Sequence, residues 1–249
     1  MKKALLTLGL ACIAITTQAQ DFRVGLTGGL NSTWLLNKNV FDQGDELDVA
    51  STFGGRIGIE GIYSFSEKAG VSIGFNFLSN HSQKYTGDLG ANSNFDAKTK
   101  LSYLDIPILF RLTSAGGSYF EIGPQIGLLS SAKQDYSQSP DPDNLSTTGE
   151  DVKWGFNSTN VALVFGFGAD IDVSENVFIT TGLRLGYGFS DVTKEFKSAA
   201  DYIDEIPDNG VSSLSTFSAH IDDDGDFNYE PTNRAFAGLH LGVSYKFSK

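Results

Sequence analysis

Hydrophobic and polar side chains alternate along most of this chain with a period of two. The clearest run is Ser102–Leu112, where Leu104, Ile106, Ile108, Phe110 and Leu112 fall on one side of an extended strand and Tyr103, Asp105, Pro107, Leu109 and Arg111 on the other. Successive strand side chains point to opposite faces, so such a run separates an apolar medium from a polar one. Seven further segments read the same way: 22–34, 52–64, 69–80, 118–131, 159–171, 176–189 and 234–247, with the Ser102 run starting near Lys98. Short turns join the second segment to the third (64–68), the fourth to the fifth (114–117) and the sixth to the seventh (172–175). Long polar loops make the other four connections. Short turns at one end and long loops at the other describe an antiparallel meander, and an even strand count lets it close.

Alternation alone does not say which face is outside. The glycines do. Gly25, Gly29, Gly58, Gly74, Gly123, Gly127, Gly166, Gly168, Gly182, Gly186, Gly238 and Gly242 all share the polar face. Each weakens a strand, and a solvated face has no use for them. The cramped interior of an eight-stranded barrel does, because it only just accommodates side chains. The glycine-rich polar face is therefore the lumen and the apolar face meets lipid, where closure satisfies every backbone hydrogen bond. Phe22, Tyr63, Phe120, Tyr245 and Phe247 near the short-turn end, and Trp34 and Phe189 toward the loops, suit two interfacial aromatic girdles. The expected fold is all-β, an eight-stranded antiparallel up-and-down transmembrane β-barrel, with external long loops.

Composition fits an exported membrane protein. Lys2 and Lys3 precede an apolar core at 5–15 and a Thr17-Gln18-Ala19 cleavage site, so residues 1–19 read as a signal peptide and 20–249 as the barrel domain. Gly9-Leu10-Ala11-Cys12 is a poor lipid-attachment signal, and Cys12 is the only cysteine, so disulfides contribute nothing to the exported chain. No later stretch reaches ~18 consecutive apolar residues. A net charge of −12 argues against nucleic acid and against anionic lipid headgroups as partners of the soluble surface.

Tyr103-Leu104-Asp105-Ile106-Pro107-Ile108, Glu121-Ile122-Gly123-Pro124-Gln125-Ile126-Gly127 and Gly166-Phe167-Gly168-Ala169-Asp170 resemble PorT-family outer-membrane β-barrels, as do the Gln-Ala-Gln cleavage region and Tyr245-Lys246-Phe247. The resemblance spans the mature chain. It implies a Gram-negative outer membrane and a small barrel. Members include a component linked to type IX secretion, and the family pattern offers no catalytic residues to transfer.

The residues point to a lumen network more than to chemistry. Arg23, Arg56, Arg111, Arg184 and Lys246 face Glu60, Asp105, Glu121 and Asp170 on the polar side of the strands. Unpaired charges in a narrow lumen are costly, so these should pair and plug it. The turn at 114–117 places Arg111 opposite or diagonal to Glu121, with Asp105 and Tyr103 extending the network. His81, His220 and His240 lack the spacing of a nucleophile–base–acid set, so the expectation is a non-enzymatic barrel whose acidic external loops carry recognition. The alternatives are a transport or type IX secretion-associated barrel and a lipid-modifying enzyme. Asp222, Asp224 and Asp226 imitate part of a calcium loop, although His220 and Pro231 stand at its first and twelfth positions. No other cofactor is expected, and any calcium affinity should be weak, of about millimolar order. Outer-membrane lipid and lipopolysaccharide are the expected surroundings, with protein partners at the loops or in a secretion assembly. Pro107 and Pro124 each remove a ladder donor, which predicts bulges there.

Overall fold

The computed structural model describes residues 21–43, 47–90, 93–141, 144–208 and 210–247; the expected signal peptide lies outside them. Eight long strands form the barrel wall: β1 (Asp21–Leu36), β2 (Leu47–Ser64), β3 (Ala69–Gly90), β4 (Ser93–Thr113), β5 (Ser118–Ser139), β7 (Thr159–Asp172), β8 (Val177–Gly188) and β9 (Asn233–Phe247). A short strand, β6 (Thr147–Asp151), pairs with β5 only. All pairings are antiparallel. β4 pairs with β5 and β1 with β9, so the ring closes. Closure leaves no unpaired edge, which is what a spanning sheet requires.

The two faces divide as alternation dictates. Leu26, Phe77, Phe110, Phe167 and Leu241 are exposed around the outside, while Arg111, Glu121, Arg184 and Glu60 are buried within. The glycines supply the room: a Cβ at Gly166 would lie 2.4 Å from the Glu121 carboxylate, and one at Gly186 would lie 2.2 Å from the Phe236 ring. Phe22 stacks on Phe247 at 6.1 Å where β1 meets β9 at the short-turn end.

Three features depart from strict alternation. First, no register shift accompanies Pro107 or Pro124: the β4–β5 register is the same at Pro107↔Gln125 and Phe110↔Ile122, and Pro124 stands opposite Leu163 without a shift. Gly74 admits the Pro107 ring instead, since a Cβ there would meet it at 2.9 Å. Second, the irregularities fall elsewhere, between Ser51 and Ile59 in β2, between Asn76 and Ser79 in β3, and at Ser102/Tyr103 against β5. An extra residue reverses the facing of everything beyond it. Asn76 and His81 therefore both point inward despite opposite parity, as do Gly127 and Ala132. Third, the long connection expected between β3 and β4 is continued sheet, paired as far as Gly90↔Ser93.

The remaining connections fold over the mouth. α1 (Lys38–Asp42) follows β1, a 3-10 turn spans Lys153–Gly155, and the β8–β9 connection holds α2 (Ala199–Asp204) and α3 (Leu214–Ser218). Asn37, Ser198 and Ser213 each cap a helix by accepting a backbone N–H. α3 is bonded to the inner face of the wall. Ser215 Oγ lies 2.9 Å from Tyr85 Oη and 2.6 Å from Thr99 Oγ1, Gln134 Oε1 accepts from the Leu214 N–H at 2.7 Å, and Thr216 donates to the Gly155 carbonyl at 3.1 Å. Beneath this cap Leu35, Leu101, Leu129, Val152, Phe156 and Val192 form an apolar layer.

Candidate functional site

The lumen gathers the chemistry. At the short-turn end Arg23, Asp170, Lys246 and Phe178 line a cleft of about 640 Å³. From there an ion ladder climbs inward. Arg23 reaches Asp170 at 2.9 Å, Arg111 bonds Asp170 at 2.8 Å and Glu121 at 3.5 Å, and Arg184 bridges Glu121 and Glu60 at 2.5 Å each. His240 stands 3.4 Å from Glu60 and its Nδ1 lies 3.3 Å from Arg56, whose guanidinium also donates to the Leu239 carbonyl at 3.1 Å. Ser72 donates to Glu60 and Thr180 to Asp170, each at 2.9 Å. Arg111 lies over the Tyr119 ring at 3.6 Å. Each carboxylate thus meets at least two donors, the condition under which burying charge is tolerable.

Above Leu109, Val164 and Phe236, toward the loops, sits a second group. Arg234 donates to Asp105 at 3.0 Å and lies over Tyr103 at 4.2 Å, and His81 is 3.7 Å from Asp105. Asp105 and Tyr103 therefore belong with Arg234, not with the Arg111 ladder they were expected to extend. Arg234 was not foreseen; its parity with Gly238 and His240 in β9 is the sequence signal that places it inside. Arg56, Glu60, Asp105, Arg111, Glu121, Asp170 and Arg184 all face the lumen, and each has an ionic or histidine partner there.

Ser79, His81 and Asp105 also meet, a grouping hidden from sequence by the β3 bulge. Ser79 Oγ lies 3.2 Å from His81 Nε2, and Asp105 Oδ2 approaches the same nitrogen. A nucleophile–base–acid relay needs the serine and the acid on opposite ring nitrogens. All three side chains are buried beneath the cap, and Ser79 and Asp105 crowd the same nitrogen instead of opposite ones.

Among the described residues no group of three or more His, Cys, Asp and Glu side chains is placed to hold a metal ion. In the Asp222–Asp226 tip, Asp222 is occupied by its own turn: its carboxylate accepts the Asp226 N–H at 2.9 Å and its carbonyl the Gly225 N–H at 3.1 Å. Asp222, Asp224 and Asp226 are not gathered around a common point.

His220, read from sequence as a loop residue, is buried in the cap. It is ringed by Phe196, Tyr202, Phe227 and Tyr229, with centroids 4.5 to 6.0 Å away. Its Nε2 accepts the Phe196 N–H at 2.9 Å and its Nδ1 faces the Thr216 carbonyl at 2.8 Å, which fixes a neutral imidazole protonated at Nδ1. Burial pushes its pKa below the ordinary histidine value, against the opposing pull of Thr216, Asp191 and Glu195. Burial and the neighbouring Asp191 likewise raise the Tyr229 phenol.

Among solved structures the chain is similar to the outer membrane protein OprG of Pseudomonas aeruginosa, at 13% identity, covering 93% of this chain and 97% of that one with a TM-score of 0.43. It is similar to Neisserial surface protein A at 12% identity, 91% and 97% coverage and a TM-score of 0.38. It is also similar to Ail of Yersinia pestis, at 12% identity, 90% and 98% coverage and a TM-score of 0.36. No curated protein matches. The family model described as an outer membrane protein beta-barrel domain matches residues 18–194. That match takes in most of the wall, from β1 through β8, and the chain belongs to this family of Gram-negative outer-membrane β-barrels.

Proposed function

We propose that this protein is a sealed, non-enzymatic outer-membrane barrel that acts through its external end and not through its lumen. The observation that carries the reading is the lumen itself. Charged side chains from every wall strand except β3 meet inside and pair, and an apolar layer and a bonded cap close the mouth above them. An eight-stranded interior has room for side chains but not for an aqueous channel as well. The Ser79–His81–Asp105 contact is buried in this filling. What remains for recognition is the external end, where Asp201, Asp204, Glu205, Asp208 and the Asp222–Asp226 tip outnumber Lys194 and Lys197.

Planar-bilayer recording of the purified barrel tests the reading. The expected result is silence; stable, discrete, ion-selective steps would overturn it and favour transport. The PorT-like motifs of β4, β5 and β7 favour a second reading, in which the barrel serves a type IX secretion assembly. Affinity purification from cross-linked membranes would support it by recovering the components of such an assembly.

A further inference from the structure

The chain has five arginines, Arg23, Arg56, Arg111, Arg184 and Arg234, and all are buried in the lumen. The outside of the barrel therefore carries its positive charge on lysine alone, and these lysines are concentrated on one wall. On the outward face of the extended β3–β4–β5 sheet, Lys84 stands directly opposite Lys98, and Lys100 directly opposite Lys133. The Lys153 ammonium donates to the Ser130 carbonyl at 3.0 Å, two residues beyond Leu128 of the lipid-facing belt. Among the described residues β1, β2, β7, β8 and β9 present no outward Lys or Arg at this end; Trp34, Phe53, Tyr187 and Phe189 lie there instead.

Like charges directly opposite on a sheet destabilise it. Part of that repulsion is relieved internally, because Lys84 pairs with Asp96 at 2.6 Å and Lys100 pairs with Asp135. Lys98, Lys133 and Lys153 form no ion pair among the described residues. Asp151 stands opposite Lys133, but its carboxylate accepts the Lys153 backbone N–H at 2.9 Å, and the Lys133 ammonium donates to the Gly149 carbonyl at 3.0 Å. Asp135 stands directly opposite Lys98 but bonds Lys100, so Lys98, Lys133 and Lys153 share one wall without an ion pair among the described residues, in a chain whose net charge is −12. Their height is also defined. Lys133 stands level with Lys100, four residues beyond Leu104, and Lys98 lies six residues beyond it, about 13 and about 20 Å along the strand and less along the membrane normal once the strand tilts.

We propose that this wall is a docking surface for the phosphate groups of outer-leaflet lipid headgroups, anchored by Lys98, Lys133 and Lys153. The proposal rests on the reading that the long-loop end faces outward. Phosphate suits the arrangement because lysine ammonium groups on flexible stems act as point charges that can converge on one tetrahedral anion. The belt below would hold the acyl chains of the same lipid. The opposite wall, with aromatic side chains at this height, would not compete for that headgroup.

The test measures binding of lipid A, with and without its phosphates, to the detergent-purified full chain at low salt. The wild type should bind the phosphorylated form and discriminate against the dephosphorylated one. The triple variant Lys98→Gln/Lys133→Gln/Lys153→Gln should lose roughly a hundredfold in affinity, and the corresponding triple arginine variant should retain binding. Wild-type affinity for the dephosphorylated form equal to that for the phosphorylated one, or undiminished binding by the glutamine variant, would overturn the proposal. A membrane-impermeant maleimide on intact cells carrying Asp224→Cys checks orientation separately. Labelling supports the outer leaflet, and labelling only after permeabilisation overturns the orientation whatever the lipid result.

Discussion

Arg234 and Glu121 show how the same kind of contact differs in consequence from one residue to another. Glu121 bonds Arg111 and Arg184, but each of those retains a second carboxylate, Asp170 and Glu60 respectively. Among the described residues Asp105 is the only carboxylate that Arg234 meets. Removing one partner of a buried pair leaves an uncompensated charge, at a cost of about 3–5 kcal/mol. Glu121→Ala should fall near the lower bound and Asp105→Ala near the upper, read from urea unfolding in lipid vesicles. The double variant Asp105→Ala/Arg234→Met should recover most of the loss; no recovery would mean that Asp105 stabilises the fold through something other than Arg234. At this scale much was legible in advance. The turn at 114–117 is short enough to set the β4–β5 register, so Arg111 stands directly opposite Glu121. The Arg184–Glu60 contact was not legible, since β8 and β2 face each other only across the closed lumen, and closure stagger is not written in either strand.

The cap is the element that sequence hid most completely. Its residues alternate with no fixed period, because short helices and turns bury side chains by packing and not by strand parity. His220 is its centre, and titration should expose that. Its folded pKa is lowered, so the neutral form belongs to the folded cap. The stabilisation is therefore fully present above the unfolded value of about 6.5 and is lost as pH falls through the folded value. Protonation would also turn Nε2 from an acceptor into a donor facing the Phe196 N–H. Hydrogen exchange at Phe196 and through 214–220 should accelerate as pH falls below about 6.5, after correction for intrinsic rates, while the wall strands stay protected. His220→Gln should abolish that pH step, and a step surviving the substitution would assign it to another group. The wall, by contrast, was readable from alternation, except that the strands run farther out than the apolar pattern. Once clear of lipid, the β3–β4–β5 extension exchanges apolar side chains for lysine, serine and aspartate on its outer face, so its sequence resembles loop while its backbone stays paired.

For the whole molecule, the proposed seal of the lumen has two parts with unrelated physics. The ion ladder pairs charges within the wall, where each guanidinium is held by strands that the barrel fixes. The cap adds hydrogen bonds from the β8–β9 connection onto Tyr85, Thr99 and Gln134. These contacts share no residue with the ladder, so each seal should survive loss of the other. Replacing residues 195–228 with a short flexible linker should leave a folded barrel, since every wall pairing lies outside that stretch. It should also leave planar bilayers silent, because Arg184, Glu121 and Glu60 still fill the eight-stranded interior. What should change is access to the apolar layer of Leu35, Leu101, Leu129, Val152, Phe156 and Val192, which lies outside the replaced stretch and loses its cover. A rise in solvent exchange at that level without conductance is the expected pair of results. Discrete conductance from the shortened protein would make the cap a gate and the ladder a permeable, hydrated lining.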